Sequence, residues 1–249
     1  MEKIKLPNGL ECYSLSPRET DYIYSEIFSQ QQYVQNNIVV REGDCIFDVG
    51  ANIGLFVLYV NQLQKNLKIF AFEPVEPVFT ALSNNIELHN LTNVSLFKYG
   101  LSSENDPERV FVFYPNMPGN STERPKEKLS QREVMIEAIG QEQTDYFFQN
   151  TQVSGEVRTL SRALEELSLD SIDLLKIDVE GEELAVIQGI EPGDWIKVKQ
   201  VVAEVHDIDN RLEKFQSILQ NYGFEVTIEK NALLPSKLNN FNVYAVRQY

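Results

Sequence analysis

Two carboxylates flank a glycine turn in this chain. The run Phe47-Asp48-Val49-Gly50-Ala51-Asn52-Ile53-Gly54 ends a short apolar stretch, and Phe72-Glu73-Pro74 follows about twenty residues later. Gly50 and Gly54 carry no Cβ, so the backbone can turn sharply there and a ligand can approach it closely. Glu73, closing the next apolar run, is placed to accept both hydroxyls of a ribose. The spacing is G-x-x-x-G, whereas a dinucleotide site uses G-x-G-x-x-G with a helix N-terminus aimed at a pyrophosphate. Asp48 beside the turn repels phosphate and suits a cationic ligand. S-adenosylmethionine joins a ribose, an ammonium and a sulfonium and has no phosphate. Its methionine and ribose side is therefore assigned to Asp48, Gly50, Asn52 and Gly54, and its ribose hydroxyls to Glu73.

A second set of polar residues closes later apolar runs: Asp178, Glu204 and His206. Asp178 is expected near the transferring methyl group, as both a cofactor-binding and a catalytic residue. Methyl transfer is an in-line displacement that needs the nucleophile at roughly 3 Å and water excluded. An aliphatic alcohol also needs a base or a metal to become nucleophilic. His206, one of only two histidines, has an ordinary pKa of about 6.5 and is the candidate base. Glu204, two residues earlier, leaves the same face of a strand and is expected to orient the imidazole. The alternative in which this trio takes Mg²⁺ or a similar divalent ion is not favoured, because no second carboxylate cluster accompanies it; no residue is assigned to a metal. His89 falls near a helix end and reads as a surface residue.

These residues must be carried by an α/β framework. Apolar runs of four to eight residues predict strands near 44–49, 68–73, 93–99, 172–178 and 198–205. Helical patterns fall near 53–64, 75–89, 159–168, 181–189 and 209–222. Such alternation implies a mostly parallel sheet covered on both faces, with ligands at the carboxyl ends of the strands. The stretches 224–229 and 242–247 have no helix between them and predict an antiparallel pair at the sheet edge. Residues 1–43 read as an N-terminal extension with a strand or hairpin near 4–15 and a helix near 18–29. Residues 44–103 read as a cofactor-binding half and 158–249 as a catalytic half of one domain. Between them, 104–157 is a lid-like insertion with a strand at 109–114 and a helix at 131–148. Its aromatics Phe111, Phe113, Tyr114, Tyr146, Phe147 and Phe148 suggest packing over the mouth of the site.

At 249 residues with 43% hydrophobic content, the chain can bury a proper core. A net charge of −15 disfavours nucleic acid and anionic membranes as partners. Lys126, Lys128 and Arg132 make one small basic cluster, a candidate docking point for an acidic carrier protein. Cys12 and Cys45 form no metal motif, and Cys45 reads as an inert core thiol. No signal peptide or membrane span is visible, and a reducing cytoplasm fits.

The chain resembles the FkbM-type family of S-adenosylmethionine-dependent methyltransferases over roughly 20–248. The carriers are Glu26-Ile27-Phe28 with Tyr33, the 47–54 turn, Phe72-Glu73-Pro74, Leu174-Leu175-Lys176-Ile177-Asp178-Val179-Glu180-Gly181 with Glu183-Leu184, and Glu204-Val205-His206. The resemblance implies a class I, Rossmann-like fold: a seven-stranded, mostly parallel sheet whose final strand is antiparallel. Gly100-Leu101-Ser102-Ser103 departs from the family's usual Ala-Leu-Gly-Asp. The family acts on hydroxyl groups of sugars, glycolipids and natural-product scaffolds, and the tail from Glu204 is most similar to members of polyketide and nonribosomal peptide assembly lines. The expected activity is O-methylation of a polyketide or peptide–polyketide hydroxyl, with the substrate free or carrier-bound. The alternatives are a glycan or glycolipid acceptor, or a non-catalytic cofactor-binding interaction domain.

Overall fold

The computed structural model describes residues 1–231, 234, 235 and 237–247. Ala232, Leu233, Ser236, Gln248 and Tyr249, within the expected catalytic half, lie outside the described residues. Of the strand or hairpin expected at the start, the hairpin forms, as β1 (Glu2–Lys5) and β2 (Glu11–Ser14), followed by α1 (Pro17–Tyr24) and a π-helical turn over Ser25–Ser29. Pro17 starts α1 where its missing N–H costs no hydrogen bond. The first half of the domain follows as β3 (Cys45–Val49), α2 (Leu55–Leu63), β4 (Lys68–Phe72), α3 (Glu76–Leu88) and β5 (Val94–Phe97). The middle holds β6 (Tyr99–Leu101), β7 (Asp106–Phe113), α4 (Leu129–Ile139), α5 (Gln141–Phe147) and β8 (Thr151–Arg158). The chain then continues through α6 (Leu160–Leu167), β9 (Leu174–Ile177), α7 (Glu183–Gln188), β10 (Gln200–His206), α8 (Arg211–Asn221), β11 (Phe224–Lys230) and β12 (Asn240–Arg247).

The main sheet has seven strands in the order β11-β12-β10-β9-β3-β4-β5. β12 alone runs opposite to the other six strands, as the class I methyltransferase pattern requires. The expected antiparallel pair forms at the sheet edge, with a defined order inside it. β12 lies inside the sheet, between β10 and β11, and β11 alone forms the edge. The reason is visible in the side chains: Val243, Tyr244 and Ala245 are an unbroken buried run, whereas Glu225, Glu229 and Lys230 put charge on β11.

The sheet is packed on both faces. Phe56, Val57 and Leu82 cover one face, and Leu160, Leu164, Phe215 and Leu219 the other. Each such side chain contributes about 1.5–3 kcal/mol on full burial. No described helix is long and apolar enough to cross a membrane.

The insertion differs from its sequence pattern in two places. The helix expected over 131–148 breaks at Gly140, whose φ of 83° separates α4 from α5. Strand β8 was not expected, because Thr151–Arg158 is largely polar with Gly155 at its centre. It pairs with β6 and β7 in a separate three-stranded sheet. Gly155 is required there: a Cβ would lie 2.9 Å from the Pro74 carbonyl oxygen.

Candidate active site

The turn after β3 brings the backbone against the end of β9. A Cβ on Gly50 would lie 1.8 Å from the Asp178 carbonyl oxygen, and its φ is 77°, so no other residue fits. Asn52 also takes a left-handed conformation, φ 49°. Its N–H donates to Glu73 Oε2 at 3.1 Å, while the Val75 N–H donates to Oε1 at 2.9 Å. Burial nevertheless pushes the Glu73 carboxyl up to about 7, with those two N–H bonds opposing it. Gly50, Asn52, Glu73 and Asp178 line a narrow cleft completed by Pro74, Leu101 and the insertion's Gly119. Gly54 is not part of that lining. Its φ of 91° closes the turn, and a Cβ would meet Leu82 Cδ1 at 2.7 Å, so it serves the packing of α2 on α3.

Asp48 also lies away from the cleft, correcting its expected contact with a ligand. It is fully buried beneath the turn, with the Lys176 ammonium 3.0 Å from Oδ1. Lys176 donates to the Gly50 carbonyl at 2.7 Å and stands 3.9 Å from Asp178 Oδ2. Burial works against the ammonium, but Asp48 and Asp178 outweigh it and hold the Lys176 pKa above its ordinary value. Tyr33 donates its hydroxyl to Asp178 Oδ2 at 2.8 Å. Asp48 thus acts through Lys176 on the turn and on Asp178.

Beyond Asp178 the site widens into a cavity of about 530 Å³. Ile23, Ile27, Val134, Met135, Ile139 and Phe147 supply apolar wall; Glu26, Asp178, Glu180, Glu204 and His206 supply polar lining. Burial, then the neighbouring Glu204, pushes the Glu26 carboxyl up to about 8. Of the insertion's other aromatics, Phe111 reaches the narrow cleft, while Tyr146 points to solvent.

The expected pairing of Glu204 with His206 does not form. Glu204 accepts from Asn240 at 2.8 Å and from Gln32 and Asn231 at 3.2 Å each, so three amides fix its two oxygens. His206 instead places Nδ1 3.1 Å from Glu183 Oε1, a carboxylate buried at the start of α7. Its Nε2 lies 3.5 Å from Glu180 Oε2. Burial opposes the imidazolium, but Glu183 and then Glu180 outweigh it and push the His206 pKa up to about 9. Among the described residues, no three His, Cys, Asp or Glu side chains converge as a metal site. His89 sits at the end of α3, where its Nε2 meets the Glu11 carbonyl at 2.7 Å, away from this cavity.

The basic trio of the insertion is not an outward patch. Lys128 is buried and ion-paired with Glu180, Arg132 is paired with Asp145, and only Lys126 remains exposed. Lys176, Glu183, Glu180 and Tyr33 are site residues to which sequence reasoning gave no role, and Lys128, read there as a docking residue, belongs to the site instead. The first four stand in the family-like segments; nothing in the local sequence marks Lys128, whose place depends on how the insertion folds back.

Comparison with known proteins agrees with this architecture. Residues 48–226 match the model of the methyltransferase FkbM domain. The 31-O-demethyl-FK506 methyltransferase FkbM of Streptomyces tacrolimicus is 33% identical, covering 94% of this chain and 92% of that protein. Methyltransferase sdnD of Sordaria araneosa is 35% identical, covering 92% of each chain. The AMB antimetabolite synthetase AmbE of Pseudomonas aeruginosa is 32% identical over 98% of this chain, which corresponds to 12% of that longer protein. Among solved structures, methyltransferase FkbM from Methylobacillus flagellatus superposes with a TM-score of 0.56 at 12% identity, covering 89% of this chain and 47% of that one. With its antiparallel β12, its glycine turn, the family model matched over 48–226 and two relatives matched over 92% of their length, the chain belongs to the FkbM methyltransferase family.

Proposed function

We propose that this chain transfers a methyl group from S-adenosylmethionine to a hydroxyl oxygen of a polyketide or peptide–polyketide intermediate, with His206 receiving the hydroxyl proton. The observation that carries the reading is the continuous cavity from the Gly50–Asn52 turn past Asp178 to His206. The residues present fit S-adenosylmethionine, which when bound supplies an electrophilic methyl group on a sulfonium. Each Glu73 oxygen receives one N–H and keeps a lone pair for a ribose hydroxyl. Asp178 presents negative charge where the cofactor's cationic end would lie, and the nearby Lys176 is already engaged by Asp48 and Gly50.

The apolar wall suits an extended hydrocarbon body better than a sugar ring, whose hydroxyls would each need a polar partner. The acceptor hydroxyl gives its proton to Nε2 of His206 while Nδ1–H donates to Glu183, which stabilises the imidazolium formed. Glu180 Oε2 stands 3.5 Å from Nε2, so the acceptor hydroxyl must reach Nε2 beside that carboxylate. The names of the relatives, one a 31-O-demethyl-FK506 methyltransferase and another a synthetase, support a natural-product acceptor.

The test is intact-mass spectrometry of a β-hydroxyacyl carrier protein, and of the same acyl group as a free thioester, after incubation with enzyme and S-adenosylmethionine. A gain of one methyl group, reduced about 10²–10⁴-fold by His206→Ala with cofactor affinity retained, is expected. Methylation of free sugars or glycolipids alone would overturn the acceptor assignment. Cofactor binding without turnover on any hydroxyl acceptor would favour an interaction domain, and a parallel EDTA sample decides whether a metal is needed.

A further inference from the structure

Lys128 is a surface-type residue that the insertion carries into the interior, where it is 6% exposed. Its ammonium pairs with Glu180, and Glu180 in turn faces His206. The insertion grips Glu180 a second time, because the Thr122 hydroxyl donates to the Glu180 carbonyl at 2.7 Å. Glu180 holds a left-handed backbone, φ 54°, a conformation that costs a non-glycine residue energy and that the surrounding contacts must enforce. Neighbouring pairs fasten the same join: Arg124 with Glu182, and Arg211 with Glu127 through bonds of 2.9 and 3.1 Å.

We propose that Lys128 is a positioning residue for the transfer reaction: it holds and neutralises the Glu180 carboxylate facing His206, so the insertion sets the charge around the candidate base. The charged groups near His206 come from every neighbouring element. Glu183 belongs to α7, Glu180 to the loop after β9, Glu204 to the histidine's own strand and Lys128 to the insertion. Arg211 of α8 donates to the His206 carbonyl at 3.2 Å, but Glu127 engages its guanidinium. Lys128 is thus the cation that offsets Glu180. Without it, Glu180 faces Nε2 uncompensated while Glu183 holds Nδ1, so the imidazole gives up its proton, and becomes able to accept another, only at a higher pH than in the wild type.

The inference rests on His206 being the base, and its test does not need an acceptor. The chain has only two histidines, so NMR titration of the imidazole Cε1–H signals resolves His206 with His89 as internal reference. Lys128→Met is expected to raise the His206 midpoint by about one pH unit. Lys128→Arg should restore it, and His89 should not move. Glu182→Gln, which loosens the neighbouring Arg124 pair without touching Lys128, should leave the midpoint in place. Where the Met variant does not fold, Lys128→Gln keeps a donor to Glu180 without its charge and replaces it. A His206 midpoint within about 0.2 unit of wild type in the Lys128 variant would overturn the proposal, as would an equal rise with Glu182→Gln. Failure of the base reading shows separately, as unchanged turnover in His206→Ala.

Discussion

Lys176→Met removes the ammonium beneath the glycine turn and leaves a side chain of similar length. In the wild type that ammonium contacts Asp48 Oδ1 at 3.0 Å and the Gly50 carbonyl at 2.7 Å, in surroundings closed to solvent. Removing one member of a buried pair typically costs about 3–5 kcal/mol. A domain of this length loses about 2–4 °C of Tm per kcal/mol, so Tm should fall by roughly 6–20 °C. The loss depends on pH in a defined direction. Burial already pushes the Asp48 carboxyl up, and without Lys176 it takes a proton in the folded state that the unfolded chain has released. The folded state then binds more protons, so stability falls as pH rises, by about 1.4 kcal/mol per unit between the unfolded and folded pKa values. Urea unfolding of Lys176→Met and of Asp48→Asn/Lys176→Met between pH 5 and 8 measures this. The double variant should recover most of the loss and lose its pH slope. A single variant within about 0.5 kcal/mol of wild type and flat with pH would refute the reasoning.

Glu183→Gln should bring the His206 midpoint down from about 9 toward the ordinary 6.5 and move the acid limb of the pH–rate profile about two units lower; an unmoved limb would separate His206 from proton transfer. Because the folded His206 pKa is raised, the stability its pairing contributes is fully present below about 6.5 and lost as pH rises through 9. The urea-stability gap between wild type and Glu183→Gln should therefore shrink over that range. Glu73→Gln should weaken S-adenosylmethionine binding by calorimetry, and wild-type affinity should itself decline as pH falls below about 7, where Glu73 takes up a proton. Gly50→Ala should abolish cofactor binding and lower Tm, since its Cβ has no room beside Asp178.

Most of the sheet is legible because each core strand is a short apolar run bounded by polar or turn residues, and such runs have few other places to go. The glycine turn and Glu73 are legible for the same reason: special backbone conformations demand special residues. What stays hidden is any partner chosen by tertiary packing. Glu204 and His206 are two apart on one strand, so local geometry pairs them, yet His206 ends the strand and α7 delivers Glu183 to its ring. Asp48 looks like a ligand-facing charge until β9 places Lys176 over it. Strand β8 is hidden because its glycine serves contact with Pro74, which a period-two pattern does not record.

The placement of β12 has a consequence for how the protein is made. A ribosome delivers β10 before β12, so one edge of the strand bearing Glu204 and His206 waits for residues up to Arg247, about 40 positions later. At translation rates of about 5–20 residues per second that wait is roughly 2–8 s, during which bare apolar backbone can pair with another nascent chain. The Asn240 amide that fixes Glu204 also arrives only then. The strand edge bearing Glu204 and His206 is therefore completed late, and a chaperone that shields β10 over those seconds should raise the yield of folded protein more than one acting on β3 to β5.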